Sequence, residues 1–373
     1  MVSEHIPTEV ILFSIIYGIT FAVPLIAALY LLLRPGNAFA PGVTPPVRLR
    51  RWAAAFFAMS ALGHVWWYLF YAYSRDLHSA AYVVVCVVDC VFLLITVAGT
   101  LLAMLQDRKR PIWPASAALI PIVVLGVLQI IYPEGSFMEI AGIYILSLYV
   151  LFTGYMMVAI RQYGRWLNDN YADLENKKVW LSQVLLLFFL LLLILYSLVN
   201  TDNILIFILH VIELVLFGLL LWRVETLPQL ENTTMEPEFF EPAPEDSQPS
   251  ALNSKPLNIP SNIEQLLDEH CVDTQLYLQH ELTLNQLAQA IGTNRFYLSQ
   301  YFSREGITYN TYINNLRINH FMTLFRKATD AGQSITAQQL AHDSGYRSYS
   351  TFSLAFKHRT GQSVTAWMRQ SAE

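Results

Sequence analysis

Asn294, Arg295, Tyr297 and Gln300 crowd into a short stretch, with Arg304 one turn further on. Side-chain amides and guanidinium groups make paired hydrogen bonds to flat edges that carry a donor and an acceptor side by side, as nucleobases do. Asn and Gln suit adenine, and Arg suits guanine. A second group, Arg347, Ser348, Tyr349, Ser350 and Lys357, is richer in hydroxyls, which meet phosphate oxygens as readily as bases. A third set is of another kind. His64, Asp89, Glu139, His210 and Glu213 are ionisable groups inside otherwise apolar runs, where such residues face a cavity or a partner. His210 and Glu213 share a helical face at i, i+3, and Cys86 and Cys90 bracket Asp89. This set allows two readings: an intramembrane ligand, proton or metal site, or internal hydrogen bonds that fix helix packing. No HExxH and no paired-ligand spacing occurs, so no metal and no cofactor are expected. No catalytic constellation is visible either. Trp66 and Trp67 are expected to serve as packing or interface anchors.

The elements that must position the first two groups can be read from local pattern. LTLNQLAQAIGTNRFYLSQYFSREG and ITAQQLAHDSGYRSYSTFSLAFKHRTG each read as helix, tight turn, helix. In both, an alanine stands four residues before a glycine: Ala288 and Gly292, Ala341 and Gly345. The alanine fits where two helices cross closely, and the glycine supplies the positive φ of the turn between them. Leu287 and Leu298, then Leu340 and Phe352, close a small core in each unit. The spacing predicts helices over 284–291 and from about 294 to 304, a long joining helix from about 309 to 327, and a second unit over about 336–359 stopped by Gly361. The turn of the second unit is one residue longer, because Gly345 to Phe352 spans seven positions and Gly292 to Leu298 spans six.

Composition sets these units apart from the rest of the chain. Of 373 residues, 54% are hydrophobic and only 14% charged, and the apolar excess lies almost wholly before residue 225. Residues 1–225 hold 13 Lys/Arg and 13 Asp/Glu, residues 226–281 one basic and eleven acidic, and residues 282–372 nine basic and three acidic. The net +6 therefore belongs to the stretch with the twin units, a balance that favours a polyanionic partner. The cysteines Cys86, Cys90 and Cys271 make no disulfide framework and no metal-binding CxxC.

A membrane-crossing helix needs about 20 mainly apolar residues. Seven runs qualify, roughly 9–33, 52–74, 79–105, 112–132, 137–160, 179–199 and 203–222. The first lacks a basic n-region and is too long for a cleavable leader, so it is expected to be retained. The connections at 34–51, 106–111 and 161–178, and the residues after 222, carry Arg34, Arg48, Arg50, Arg51, Arg108, Lys109, Arg110, Arg161, Arg165, Lys177, Lys178 and Arg223; the alternate connections hold Arg75 alone. By the positive-inside rule the basic connections face the cytoplasm. That puts the N-terminus outside and the C-terminus inside, the arrangement an odd number of spans also requires. Residues 226–260, with seven prolines and a run of acidic residues, read as an extended tether. Structure is expected to resume at 261, where Ser261 and Glu264 have capping-box spacing.

The residues LAQAIGTNRFYLS (287–299), YINNLRI (312–318), GY (345–346) and FSLAFKHRTGQS (352–363) resemble the DNA-binding domain of the AraC/XylS family of bacterial transcription regulators, over about 260–370. The resemblance implies two helix-turn-helix motifs bridged by one long helix and set in successive major grooves of double-stranded DNA. Val364 stands where that family usually has proline, which bears on the shape of the final turn. The fold class expected is therefore all-α: a seven-helix transmembrane domain (1–225), an acidic Pro-rich linker (226–260) and a double helix-turn-helix domain (261–373). The function expected is that of a regulator held in the bacterial inner membrane with its DNA-binding domain in the cytoplasm. Its partners would be DNA, the lipid bilayer, an unidentified small-molecule or membrane signal, and a second copy in a homodimer. The alternative reading is a transporter or channel gated by its soluble domain.

Overall fold

The computed structural model describes residues 8–34, 36–74, 76, 79–174, 177–198, 203–230, 262–333 and 335–372. The tether from residue 231 onward and Ser261 of the expected capping box lie outside the described residues. The protein is all-α; among the described residues no strand occurs, and one isolated antiparallel bridge pairs Tyr171 with Thr283. The chain divides into two compact units, one comprising Met1–Tyr163 with Asn176–Thr234, the other Gly164–Glu175 with Met235–Glu373.

Unit 1 is a bundle of long apolar helices: α1 (Thr8–Leu33), α2 (Val47–Tyr73), α3 (Ala80–Met104), α4 (Trp113–Ala118), α5 (Ile120–Ile131), most of α6 (Phe137–Asn170), α7 (Trp180–Leu198) and α8 (Asn203–Thr226). Six spans among the described residues are long and apolar enough to cross a membrane, with α4 and α5 forming one of them. The expected span at 179–199 is α7, several of whose side chains lie outside the described residues. The surface of this unit is apolar, with Leu33 76%, Leu151 71% and Ile143 67% exposed. Its polar groups turn inward: Gln183 is fully buried and donates to the Leu101 carbonyl at 3.0 Å. That inversion is what a hydrocarbon solvent demands.

The basic connections gather at one end of this bundle. Arg48 donates to the Arg110 carbonyl, Arg50 to the Arg34 carbonyl at 2.7 Å, and Arg223 to the Lys178 carbonyl at 2.5 Å. Glu225 is fully buried there, accepting from Tyr30 at 2.9 Å with Arg50 at 3.4 Å. The residues after 160 were expected to form a connecting loop, but α6 runs on to Asn170. Arg161, Gln162, Arg165 and Asn168 are compatible with a helix in water, so loss of apolar pattern ended the span without ending the helix.

Unit 2 contains α9 (Ile263–Leu267), continued by a π turn over Asp268–Val272, and then α10 (Leu284–Ala290), α11 (Arg295–Arg304), α12 (Tyr309–Asp330), α13 (Ala337–Asp343), α14 (Tyr349–Thr360) and α15 (Val364–Ala372). Almost every helix start has a side-chain cap. Thr283 and Gln286 form a capping box on α10, and Asn294, Thr308, Thr336 and Ser348 accept from the amide three residues on, each such cap contributing about 1 kcal/mol. Two apolar cores result. Leu287, Ala288, Leu298, Phe302 and Ile313 are buried in one, and Phe321, Leu340, Ala341, Phe352 and Phe356 in the other. α12 supplies both. Val364 is itself buried in the second core, and Ser363 accepts from the Ala366 amide. The final turn thus closes without proline.

Candidate nucleic-acid interface

Gly292 and Gly345 take φ of +70° and +88°, so each turn has the backbone that the Ala–Gly spacing requires. At Gly345 there is a second constraint: a Cβ would lie 2.8 Å from the Leu278 carbonyl oxygen. Both turns lead into a capped helix, and the extra residue of the second turn falls between Gly345 and its cap Ser348. Position 348 is thereby equivalent to 294, and Phe352 to Leu298.

On α11 the buried pair Leu298 and Phe302 faces inward. At 100° per residue the opposite face holds Phe296, Gln300 and Ser303, with Arg304 beside them. Phe296 is 38% exposed and Arg304 has its guanidinium 3.7 Å from Glu305 in solvent. Asn294 uses its side chain as the cap, accepting from the Tyr297 amide at 2.9 Å. Tyr297 is half-buried against the core. Arg295 stands three residues before Leu298 and so lies on the flank of the buried face. There its Nε donates to the Asn170 Oδ1 at 2.9 Å, with Nη2 on the same oxygen, and burial pulls its pKa below the usual guanidinium value.

On α14 the buried pair is Phe352 and Phe356, and the opposite face carries Ser350, Leu354 and Lys357, all exposed. Ser348 is the cap, and its hydroxyl lies 3.1 Å from that of Ser350. Tyr349, three residues before Phe352, packs against the core. Arg347 is exposed and donates to Glu281 at 2.7 Å. Reading from residue type alone passed over Phe296 and Leu354, apolar side chains in mid-face; such groups meet the methyl of thymine.

Also unforeseen was Arg317, which is fully buried. It donates to the Tyr277 and Gln279 carbonyls at 2.7 Å each and to Asp173 at 2.9 Å, and its guanidinium lies 5.5 Å from the centre of the Tyr346 ring. The signal was present in sequence: a charge on the apolar stripe of α12, four residues after Ile313 and four before Phe321. Asp173 also accepts from the Glu281 amide at 2.7 Å, Asn310 donates to the Ala172 carbonyl at 2.5 Å, and Ala172 is part of the first core. Cys271 lies in the same core, and burial pushes its thiol up to about 12, which makes it an inert packing residue. Residues 164–175 are thus built into unit 2.

The ionisable residues of unit 1 are only partly brought together. Ligand atoms of His64, His210 and Glu213 lie within 4.8 Å of one another. Asp89 accepts from both indole N–H groups, Trp66 and Trp67, at 3.2 Å each. The two tryptophans thus join α2 to α3 through a carboxylate. Glu139, in the first turn of α6, is exposed and outside the His–His–Glu group.

Two capped helices, each entered through a glycine turn and joined by one long helix, define a double helix-turn-helix DNA-binding domain. Residues 287–370 match the family model described as a helix-turn-helix domain, and the domain is of the AraC type. No curated protein and no solved structure matches the chain. The chain is accordingly a DNA-binding transcription regulator with apolar helices suited to a membrane.

Proposed function

We propose that this chain is a membrane-embedded, sequence-specific regulator: the apolar helices of residues 1–225 sense a signal, and the helix-turn-helix domain answers it at the DNA from the cytoplasmic side of a bacterial inner membrane. The orientation rests on the basic connections, which gather at one end of unit 1. In this reading α11 and α14 enter successive major grooves. Gln300, Phe296 and Arg304 meet one half-site, and Ser350, Leu354 and Lys357 the other, with Arg347 near phosphate.

The observation that carries the sensing role is the hydrogen bond from Arg295 on α11 to Asn170. Asn170 is the last residue of α6, a helix of 34 residues that begins among the apolar spans. Whatever rotates or shifts α6 moves the acceptor that holds a guanidinium at the edge of the first reading helix. Signalling requires two states that each ligand favours differently, and Arg295 held or released supplies them: held it stays off the DNA, released it reaches guanine or phosphate.

The test is to map chromosomal sites bound by the full-length protein, then compare wild type with Asn170→Ala on the sites found. Membrane-fraction protein should enrich paired half-sites about 10 base pairs apart. Asn170→Ala should change affinity about tenfold, the worth of one hydrogen bond to a charged group. If the purified protein enriched no site even at low salt, where phosphate contacts are strongest, the regulatory reading would fall. Unchanged binding by Asn170→Ala would remove α6 as the route of the signal.

A further inference from the structure

The group at His64, His210 and Glu213 has features that neither packing nor DNA binding uses. Its ligand atoms come from two helices, α2 and α8, and converge within 4.8 Å. His64 has its Nδ1 2.8 Å from the Ser60 carbonyl oxygen. A carbonyl only accepts, so Nδ1 carries the proton and Nε2 keeps its lone pair; this is the backbone contact that fixes the tautomer of metal-binding histidines. Tyr17 buttresses the pair. Its hydroxyl donates to the His64 carbonyl at 2.7 Å, and its ring centre lies 5.0 Å from that of His64 and 5.8 Å from that of His210. The Asp89 carboxylate lies against Gly63, where a Cβ would be 2.8 Å from its Oδ1. Its own oxygens are taken by Trp66 and Trp67.

We propose that His64, His210 and Glu213 bind one divalent transition-metal ion among the apolar helices of unit 1. Two imidazole nitrogens and one carboxylate oxygen are the donor set of zinc and of its first-row neighbours, not of calcium or magnesium, which take oxygen. A tetrahedral ion with bonds of about 2.1 Å sets its ligand atoms about 3.4 Å apart, so closing this group onto an ion takes side-chain rotation of about an ångström. The ion also answers the cost of placing the Glu213 carboxylate in an apolar bundle, since it sets an opposite charge against that group. A fourth position is left for water or a small ligand. The site stands independently of the sensing role, because binding is measured on purified protein without DNA.

The experiment is to strip full-length protein in lipid nanodiscs with a chelator and titrate it with cobalt(II), followed by zinc(II) in competition with a coloured chelator. One equivalent per chain is expected, with the visible cobalt bands of nitrogen and oxygen ligation. His64→Gln, His210→Gln and Glu213→Gln should each weaken binding by about 100-fold or more, whereas Glu139→Gln should leave it unchanged. Two results overturn the site: wild type that takes up no equivalent at micromolar metal, or triad variants that bind like wild type. Should the variants fail to fold, the wild-type spectrum still decides, because an intense thiolate charge-transfer band would place the ion at Cys86 and Cys90 instead.

Discussion

α11 and α14 start from the same plan. Each follows a glycine turn, begins on a side-chain cap, and buries two apolar residues four apart, Leu298 and Phe302 in one, Phe352 and Phe356 in the other. They differ in what holds them. α11 packs beside residues 170–173, and its first side chain is bonded to Asn170. The second unit has contacts within the carboxy-terminal part of the chain: Arg359 donates to the Asn315 carbonyl at 2.6 Å and to Asn319 at 2.7 Å, and Tyr346 donates to Asn314 at 2.8 Å. Under the function proposed above, the first helix-turn-helix unit is the one that answers α6 and the second holds the duplex, so that responsiveness would come from a neighbour added to a standard motif.

Arg317 is where that contrast breaks most severely. Its guanidinium joins Asp173 and residues 277–279 to the turn of the second unit through Tyr346. Arg317→Ala leaves the buried Asp173 with the Glu281 amide but without its counter-charge and takes the donor from two carbonyls, and should destabilise unit 2 by about 3–5 kcal/mol. Thermal unfolding should show the loss, and footprinting should show both half-sites weakened together. Loss at only one half-site would mean the units are held independently.

The two turn glycines give a smaller and more selective difference. Ala at Gly292 meets nothing within 4 Å, so only the positive φ opposes it, a cost of about 1–2 kcal/mol. Ala at Gly345 adds a collision with the Leu278 backbone, at 2.8 Å from its oxygen and 2.9 Å from its Cα. Gly345→Ala should therefore lower the melting temperature clearly more than Gly292→Ala, and equal shifts would show that the Leu278 segment yields. The smallest effect is at Lys357, exposed on α14. Lys357→Ala should weaken binding similarly on all sequences and reduce the salt slope by about one, whereas Gln300→Ala should relax preference at one base pair, at a cost of about 1–3 kcal/mol.

The caps, the two glycine turns and the bridging helix were legible because each is a local rule acting within a few residues. The place of Arg295 was also within reach, because three positions before Leu298 puts it on the flank of the buried face. Asp173 and Arg317 were not, since 144 residues separate them and neither has a neighbour that announces the other. The same holds for His64, whose partners His210 and Glu213 share no spacing with it. Composition told where the long apolar helices lie, but it stopped the fifth near residue 160 because a polar helix and a loop look alike by hydropathy.

The Asp173–Arg317 pair has a consequence in time. A ribosome adding roughly 5–20 residues per second makes Arg317 roughly 7–30 s after Asp173. For that interval the 170–173 segment waits without its partner, and the DNA-binding domain completes itself only when nearly the whole chain has been synthesised. Early termination, or a protease cutting between residues 176 and 261, would sever one contributor from the other. Such a fragment would lose the carboxylate that Arg317 is buried against and should be degraded before it could act at a promoter.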